Sequence, residues 1–459
     1  MANIQEYLNP MRRRTVRYGG PRKSPSKANN SLPETIQVES LSLEGRGVAR
    51  VDGKTLFISG ALPDETVSAT LTKSGKRFDE AVVKEIKSPS EHRITPCCDL
   101  AGECGGCDLQ HLSPERAVEI KRDQIISTLK RQSNLESQVT EAPIVSEQTL
   151  NYRRSARVGI NQRENGELII GFRRSESNKL IDTPSCPVLT NRCNQFLTAL
   201  RERLEGLDKL KTLTHISLSD GDNLLAVEIR AKKRPSDEIM LALTSLAVDL
   251  QVNLRVSFND QTLTLNRVEE PEFINRQRDI RYQFDTNDFI QVNASVNEAL
   301  IECAIEWLEP KQDDRLLDLF SGLGNFSLPL ARLTKEVVAV EGISAMVKRS
   351  QANAALNGIN NLTSIKSDLS KVDSDTTWLK SQYDLILLDP PRSGAADLIP
   401  HLKNLGARAI LYIACDPMSL VRDSKILSDS GFSMTRFSVA DMFPQTHHIE
   451  SIALFEPKP

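Results

Sequence analysis

A chain of 459 residues with 39% hydrophobic and 26% charged residues is long enough for two or three domains and apolar enough for each to bury a core. No apolar run reaches the roughly 18 residues of a membrane-spanning helix, and no apolar stretch follows the basic N-terminus as it would in a secretory signal. We therefore expect a cytoplasmic protein without membrane contact. The net charge of −3 does not indicate a nucleic-acid binder, although it conceals strong local bias.

Residues 1–34 form a basic N-terminal tail that we predict to be disordered. Its centre, MRRRTVRYGGPRKSPSK at residues 11–27, is rich in glycine, proline and serine and holds too few apolar side chains for a core. Two functions fit this composition equally well: a tail that keeps the chain soluble, or an arm that contacts phosphates.

Residues 35–88 alternate strand-like runs with glycine-containing turns, as in VARVDGKTLFISG. Short β-rich segments at this spacing predict a small barrel of the OB-like type. Three basic side chains, Lys73, Lys76 and Arg77, fall in one of its loops. Alone, they are only a weak indication of nucleic-acid binding.

Residues 89–280 form a predicted α+β domain. HLSPERAVEIKRDQIISTLKRQ at 111–132 predicts a helix, because Ser113 suits the N-cap, Pro114 suits the first helical position and apolar residues recur at helical spacing. Strand candidates such as ARVGI and ELIIGF follow. Two clusters of arginines near aromatic residues, NYRRSARVG and GFRRSESNK, suit either RNA contact or a solvated edge strand.

Four of the eight cysteines fall within the eleven residues 97–107, and such crowding in a cytosolic chain indicates metal ligands rather than disulfides. The spacing Cys98-x5-Cys104-x2-Cys107 supplies three thiolates, and Cys186, which precedes a proline, supplies a fourth. Four cysteines hold either zinc or an iron–sulfur cluster. Zinc ribbons usually have two Cys-x2-Cys knuckles and this chain has one, so the pattern favours iron–sulfur. We choose Cys98 over its neighbour Cys97 on spacing.

From 281 to 459 the pattern changes to a repeated strand, loop and helix. The buried-strand runs RLLDLF, EVVAVE, YDLILLD and AILYIAC predict an open α/β sheet of the Rossmann-like type. In such a sheet, ligands bind at the carboxyl ends of the strands.

Glycines and acids at these predicted strand ends indicate the ligand. Gly322 and Gly324 follow the first strand and permit close backbone approach, and Glu341 lies 19 residues beyond Gly322 at the end of the second strand. Asp368 and Asp389 follow the next two strands. A dinucleotide enzyme usually has a longer glycine fingerprint. The set therefore favours S-adenosylmethionine, with its ribose on Glu341 and its adenine edge on Asp368.

Four motifs, SGLGNFSLPLA, LDPPRSG, YIACDP and DMFPQTHHIESIALF, resemble the RNA uracil-C5 methyltransferase family, as does DFIQVNASVN at 288–297. The resemblance runs over nearly the whole chain from about residue 38, and residues 35–88 resemble its TRAM domain. It implies six contacts to S-adenosylmethionine: Gln291, Phe320, Asn325, Glu341, Asp368 and Asp389. Members with the same cysteine pattern bind a [4Fe-4S] cluster, which implies four ligands: Cys98, Cys104, Cys107 and Cys186.

Cys415 has a chemical role in this interpretation. Uracil C5 is a poor nucleophile, and addition of a thiolate at C6 gives C5 the electron density to attack a methyl sulfonium. Cys415 lies at a turn just past a predicted strand rather than inside the apolar run, which favours a nucleophile over core packing. The resemblance aligns Glu450 with the base that removes the C5 hydrogen, where the residues alone would also allow His447 or His448.

Two further residues, Asp389 and Arg392, are expected to hold and polarise the uracil edge. The combination of barrel and cysteine cluster resembles the branch that methylates one uridine of 23S ribosomal RNA, which implies that RNA as the partner. Three alternatives remain open: the same chemistry on another ribosomal or transfer-RNA uridine, an amino-group methyltransferase, and a non-catalytic iron–sulfur RNA-binding protein. We expect the cluster to organise the central domain, and the protein to act as a monomer.

Overall fold

The computed structural model describes residues 32–373 and 375–459. Nearly all of the predicted basic tail, residues 1–31, lies outside the described residues. The described chain builds three β-sheets of six, seven and eight strands and one two-stranded hairpin. Within those ranges, none of the helices combines the length and apolarity that crossing a membrane requires.

The N-terminal domain is a six-stranded sheet that closes on itself. Its strands are β1 (Ile36–Gln37), β2 (Ser40–Leu41), β3 (Gly47–Val51), β4 (Lys54–Ser59), β5 (Thr66–Ser74) and β6 (Phe78–Ser88). In the order β1-β5-β6-β4-β3-β2, β1 and β2 form the two edges. The segment between β1 and β2 closes the sheet by hydrogen-bonding at both edges. Val38 donates its N–H to the Glu65 carbonyl beside β5 (2.9 Å), and Glu39 donates its N–H to the Val48 carbonyl of β3 (2.8 Å).

The central region begins with a helix, α1 (Pro114–Ser133), and a very short strand, β7 (Val139–Thr140). Its sheet has the order β10-β9-β8-β11-β12-β13-β14. The strands are β8 (Ser155–Gln162), β9 (Leu168–Arg173), β10 (Leu180–Asp182), β11 (Leu213–Asp220), β12 (Leu225–Ala231), β13 (Asn253–Phe258) and β14 (Gln261–Asn266). Helices α2 (Asn191–Leu204) and α3 (Asp237–Asp249) pack against each other and bury a shared apolar core with this sheet.

The C-terminal domain follows a hairpin of β15 (Glu272–Asn275) and β16 (Ile280–Gln283) and begins with helix α4 (Ala294–Leu308). Its strands are β17 (Arg315–Leu319), β18 (Glu336–Glu341), β19 (Leu362–Lys366), β20 (Leu385–Leu388), β21 (Ala409–Ala414), β22 (Phe432–Ala440) and β23 (Glu450–Pro457). Its other helices are α5 (Ser327–Ala331), α6 (Ser344–Leu356), α7 (Ile399–Leu402) and α8 (Pro417–Asp429). Short 3-10 turns lie at Leu210–Thr212, Thr377–Lys380 and Lys403–Leu405.

The strand order of the C-terminal sheet creates a crevice for a ligand. The order is β19-β18-β17-β20-β21-β23-β22-β7, with parallel pairing from β19 to β21 and β23 antiparallel to both of its neighbours. The chain runs outward from β17 to β19 and then returns to β20, so the direction of winding changes between β17 and β20. Ligands bind at the carboxyl ends of strands at such a switch point.

Sequence order places α1 and β7 in the central domain, 89–280, whereas the structure packs both onto the C-terminal domain. Helix α1 begins at Pro114 as predicted, and its apolar stripe, including Val118, Ile125 and Leu129, joins the C-terminal core. Strand β7 pairs in parallel with β22 at the edge of the sheet. Helical periodicity predicts that a stripe is buried, but it does not say which surface the stripe covers.

A buried ion pair fastens α1 to the C-terminal domain. Lys121 Nζ lies 2.9 Å from Asp441 Oδ1, and the two side chains are 4% and 5% exposed. The same ammonium donates to the His448 carbonyl at 3.3 Å. Asp441 and His448 stand near opposite ends of the loop that joins β22 to β23, so Lys121 holds both ends of that loop.

Replacing Lys121 with Met should lower the free energy of unfolding of the C-terminal domain by about 3–5 kcal/mol, because the Asp441 carboxylate would remain buried without its partner. Both tryptophans of the chain, Trp307 and Trp378, are buried in this domain, so urea unfolding followed by tryptophan fluorescence reports on it. The control Lys130→Met removes an exposed ion pair from the same helix and should change little. Equal, small effects of the two substitutions would contradict a stabilising role for the buried pair.

Candidate active site

Cys415 and Glu450 face each other at the carboxyl end of β21. The antiparallel ladder of β21 and β23 ends where Ala414 pairs with Ser451, and Cys415 and Glu450 are the next residues outward on the two segments. The Glu450 carboxylate lies close enough for its charge to raise the pKa of Cys415. Cys415 is half-buried and Glu450 is only 5% exposed. The two groups therefore share a space that is largely closed to water.

The local sequence fixes the cysteine at a strand-to-helix turn. Strand β21 ends at Ala414, and α8 begins at Pro417 with Asp416 as its N-cap. The Asp416 carboxylate accepts the Ser419 N–H at 2.7 Å, and proline suits the first helical position because it has no N–H to satisfy. Cys415 is thus held between a buried strand and a capped helix.

Two more predicted residues, Asp389 and Arg392, lie beside this pair. Asp389 directly follows β20, which runs parallel to β21, and its N–H donates to the Leu319 carbonyl at 3.3 Å. Arg392 follows in the same loop with an exposed side chain. Its positive charge lies close enough to Cys415 and Glu450 to offset part of the rise in the pKa of each.

The electrostatics of the site favour protonated groups. Burial, followed by the carboxylates of Glu450 and Asp389, raises the pKa of Cys415 to about 12. Burial and then the charge of Asp389 raise the pKa of Glu450 to about 8, and burial raises the pKa of Asp389 to about 7. The thiol therefore keeps its proton at neutral pH, whereas both carboxyl groups change charge near neutrality.

Sequence reasoning missed Asp423, which fixes the loop that carries Arg392. The Asp423 carboxylate accepts hydrogen bonds from the Tyr412 hydroxyl (2.5 Å), the Ala395 N–H (2.6 Å) and Arg422 Nε (2.7 Å). Tyr412 belongs to the strand that leads to the cysteine, so one carboxylate connects that strand to the loop after Asp389. Helical spacing could have indicated that Asp423 is buried, because it lies three residues from Leu420 on the apolar face of α8.

The turn after β17 has the geometry of a cofactor cradle. Phe320, Gly322 and Gly324 all have positive φ, at 65°, 56° and 99°. Both oxygens of Glu341 accept backbone N–H groups, from Gly322 at 3.1 Å and from Ile343 at 2.8 Å. The carboxylate is therefore held in one orientation, with lone pairs left for a ligand.

Asp318, at the centre of the sheet, is a second polar group in this region that sequence reasoning did not single out. Burial raises the pKa of its carboxyl group to about 7, and Oδ2 bonds to the Ser327 hydroxyl. Oδ1 is buried and has no hydrogen-bond partner among the described residues. An unsatisfied buried oxygen beside the glycine turn fits a site that takes a polar or cationic ligand.

The remaining predicted cofactor residues differ in how free their side chains are. Asp368 is exposed just past β19 and accepts the Ser370 hydroxyl at 2.6 Å. Gln291 is 8% exposed. The Asn325 amide exchanges two hydrogen bonds of 2.9 Å with the Asn297 amide of α4, so its side chain is already committed. The structure brings Phe320, Glu341, Asp368 and Asp389 to successive strand ends.

Two residues of the arginine clusters, for which the sequence left RNA contact and a solvated edge strand equally open, are buried. Arg154 is 5% exposed, donates Nε to the Gln291 carbonyl at 2.8 Å and lies 4.4 Å above the Phe273 ring. Tyr152 is 7% exposed and donates its hydroxyl to the Pro444 carbonyl at 2.9 Å. Both side chains join the central region to the C-terminal domain.

The four predicted metal-ligating cysteines lie near one another although Cys186 is distant in sequence. Burial, followed by the charges of neighbouring cysteines among the four, raises the pKa of Cys104, Cys107 and Cys186. Cys97 instead directs its thiol at the Gln110 amide oxygen at 3.8 Å. Within the part of the chain that the structure describes, no group of three or more His, Cys, Asp or Glu side chains is arranged to hold a metal ion. The iron–sulfur cluster therefore stays a prediction.

The strand order, the glycine turn after β17 and the carboxylates after the next strands define an S-adenosylmethionine-dependent methyltransferase. Residues 115–458 match the family model described as tRNA (Uracil-5-)-methyltransferase, and residues 34–84 match the TRAM domain. The chain belongs to the tRNA (uracil-5-)-methyltransferase family. This confirms the family and the N-terminal domain that the sequence motifs predicted.

Relatives and a solved structure extend this result over most of the chain. The 23S rRNA (uracil(1939)-C(5))-methyltransferase RlmD of Shewanella sediminis (strain HAW-EB3) is 39% identical over 437 residues, 95% of this chain and 98% of that protein. The protein of the same name from Vibrio parahaemolyticus is 38% identical and covers 93% and 97%. Pyrococcus abyssi tRNA (uracil-54, C5)-methyltransferase in complex with S-adenosyl-L-homocysteine has 21% identity and a TM-score of 0.71, with 92% and 99% of the chains covered. That likeness establishes the fold.

Glu450→Gln should make the C-terminal domain more stable at alkaline pH. The folded protein keeps a proton on Glu450 that the unfolded chain releases near pH 4.5, so stability falls as pH rises from 4.5 to about 8. An amide does not ionise, so its urea midpoint should exceed that of the wild type at about pH 9 and match it at about pH 4. The control Glu456→Gln, at an exposed position of the same strand, should show no such difference. A Glu450→Gln protein less stable than the wild type at high pH would contradict the raised pKa.

Proposed function

We propose that the protein methylates C5 of one uridine in 23S ribosomal RNA, with S-adenosylmethionine as the methyl donor. Two relatives named as 23S rRNA (uracil(1939)-C(5))-methyltransferases align with nearly the full length of this chain, which supports uracil 1939 as the target. One observation carries the chemistry: Cys415 and Glu450 lie close together, just past the last pair of the β21–β23 ladder and beside the proposed cofactor carboxylates. A nucleophile and a base in this arrangement suit covalent catalysis on a pyrimidine ring.

In the proposed reaction the Cys415 sulfur bonds to uracil C6, and the electron pair of the C5–C6 double bond moves towards the neighbouring ring carbonyl as an enolate. S-Adenosylmethionine supplies an electrophilic methyl group, which C5 takes as the enolate collapses. Glu450, in the form that has already released its own proton to solvent, then removes the C5 hydrogen as a proton, the C5–C6 double bond forms again and the thiolate leaves C6. The cysteine is regenerated, and the products are 5-methyluracil and S-adenosylhomocysteine.

The raised pKa of Cys415 requires the thiol to lose its proton as it adds to C6. Asp389, with a pKa near 7, is the neighbouring carboxylate that can accept this proton while Glu450 is kept for the later step. Arg392 stabilises the thiolate and can donate to the uracil carbonyl on which enolate charge develops. Asp389 and Arg392 thus hold and polarise the base.

The residues at the strand ends fit S-adenosylmethionine. Glu341, with both oxygens oriented by backbone N–H groups, accepts the ribose hydroxyls, and the exposed Asp368 accepts the adenine edge. The unpartnered oxygen of Asp318 gives the cationic donor a buried partner. The amide of Asn325, in the glycine turn, pairs with the amide of Asn297 in α4. This pair supports the turn, so the Asn325 side chain does not reach the cofactor.

Four cysteines, Cys98, Cys104, Cys107 and Cys186, would hold a [4Fe-4S] cluster. The donor set fits, because soft thiolates suit iron and the cysteines lie close enough for their charges to raise one another's pKa values. When bound, the cluster supplies structural cross-linking, since methyl transfer is not a redox reaction. The cysteines join the loop at 98–107 to the segment that precedes α2.

RNA that contains 5-fluorouridine should become covalently attached to the protein, because fluorine does not leave C5 as the proton does. With S-adenosylmethionine and a fragment of 23S ribosomal RNA, a denaturing gel should show a slower band for the wild type and for Cys303→Ala. Cys415→Ala should show none. Cys303 is a matched control, a partly buried cysteine of α4 in the same domain.

Three results of this experiment would overturn parts of the proposal. A band with transfer RNA and none with ribosomal RNA would change the substrate class. A band that persists in Cys415→Ala would exclude this cysteine as the nucleophile, and the absence of any band would favour a non-covalent methyltransferase.

Cys98→Ser should remove the visible absorbance, iron and sulfide of protein purified without oxygen, because one of the four cluster ligands is lost. Cys97→Ser is the adjacent control and should keep all three, since Cys97 directs its thiol at Gln110. Zinc in place of iron, or loss of iron in Cys97→Ser alone, would contradict the proposed ligand set.

A further inference from the structure

The loop of residues 441–449 joins β22 to β23 and leads directly to Glu450. The segment that carries the cysteines contacts this loop. Leu109, two residues after Cys107, donates its N–H to the Gln445 carbonyl at 3.0 Å. Asp108, between them, makes the second contact with its side chain.

Asp108 binds both the backbone and the side chain of His447. One carboxylate oxygen accepts the His447 N–H at 2.7 Å, and the other bonds to ring Nδ1. His447 stands three residues before Glu450, and its ring lies 4.0 Å from the His448 ring between centroids. On the barrel side, a Cβ added at Gly45 would lie 3.2 Å from His447 Cβ. The histidine therefore contacts the cysteine segment and lies next to the barrel, with 29% of its side chain exposed.

His447 also borders the cavity next to the proposed nucleophile. This cavity has a volume of about 170 Å³, and its walls include Leu43, Glu44, Arg392, Cys415, His447 and His448. We propose that Asp108 is a positioning residue, which holds His447 and thereby sets the loop that places Glu450 opposite Cys415. This inference rests on the proposed function, because it assigns Glu450 the removal of the C5 proton.

Loss of Asp108 should affect one step more than the others. Cys415 is fixed by β21 and the cap of α8, so addition to C6 and methyl transfer should continue. Glu450 is the first residue of β23: its backbone pairs with Ala440 of β22, and the loop that Asp108 holds joins it directly on the other side. A misplacement of about 1 Å of its carboxylate can slow proton removal by about a hundredfold. Methylated RNA should then remain bound to Cys415, because the proton at C5 is removed slowly.

The test compares Asp108→Ala with Asp99→Ala in the full-length protein and ordinary, non-fluorinated 23S RNA. Asp99 directly follows Cys98 as Asp108 follows Cys107, but its side chain is exposed and makes no hydrogen bond or ion pair with the residues that the structure describes. We expect Asp108→Ala to lower kcat about tenfold to a hundredfold and to lower KM for S-adenosylmethionine in proportion, because kcat/KM depends only on the steps up to methyl transfer. It should also accumulate a covalent protein–RNA band, and Asp108→Asn, which keeps one acceptor oxygen, should recover part of the rate. Asp99→Ala should behave like the wild type.

Each other outcome has a definite meaning. Normal kcat with no accumulated band in Asp108→Ala would overturn the inference. If Asp108→Ala also loses its visible absorbance, the same experiment is done with His447→Ala, which leaves the cysteine segment unchanged. An accumulated covalent band in His447→Ala supports the positioning role of Asp108, and the absence of that band overturns it. A wild-type protein that methylates no uridine would instead overturn the proposed function.

Discussion

The antiparallel pairing of β21 with β23 is the constraint on which the rest of the site depends. It sets Cys415 against Glu450, and the parallel neighbour β20 adds Asp389 to the same buried space. Three groups that become negative when they lose a proton then share one nearby guanidinium, that of Arg392. Since buried like charges disfavour one another, the site keeps protons that free side chains would release. A proton can pass from the thiol to a carboxylate within the site, and this transfer leaves the net charge of the site unchanged.

The turn on the cofactor side of the crevice contains a strained residue, which hydrogen bonds hold in place. Phe320 adopts a left-handed conformation that costs a non-glycine residue about 1–3 kcal/mol. The strain is maintained because Phe320 and Ser321 both donate N–H groups to the Val340 carbonyl, at 3.0 and 3.2 Å. The turn is consequently fixed to the end of β18, the strand that also ends in Glu341. The position of the carboxylate and the shape of the turn thus depend on the same pair of strands.

The sequence predicted those parts of the structure that depend on local pattern. Continuous apolar runs identified the parallel strands, and the spacing from Gly322 to Glu341 located a carboxylate at the correct strand end, because both features follow from short stretches of chain. Contacts between distant segments were not predictable in this way. Asp108 and His447 are 339 residues apart, and the pairing of Asn325 with Asn297 depends on how α4 packs. Arg154 shows the same limit, because it is buried between two domains although Arg153 beside it is partly exposed and Arg157 is exposed.

The two proposed catalytic side chains differ in what supports them. Cys415 is held by elements within its own sheet: a buried strand, a capped helix and the Asp423 hydrogen bonds that join Tyr412 to the neighbouring loop. Glu450 begins β23, where it pairs with Ala440 of β22, and the loop before it is held by Lys121 and Tyr152 and by the segment after the cysteines. The supports of the loop, unlike the strand pairing, precede the catalytic domain in sequence. The N-terminal half of the chain therefore forms part of the active-site wall. Substitutions in that half should change the position of Glu450 more than the position of Cys415.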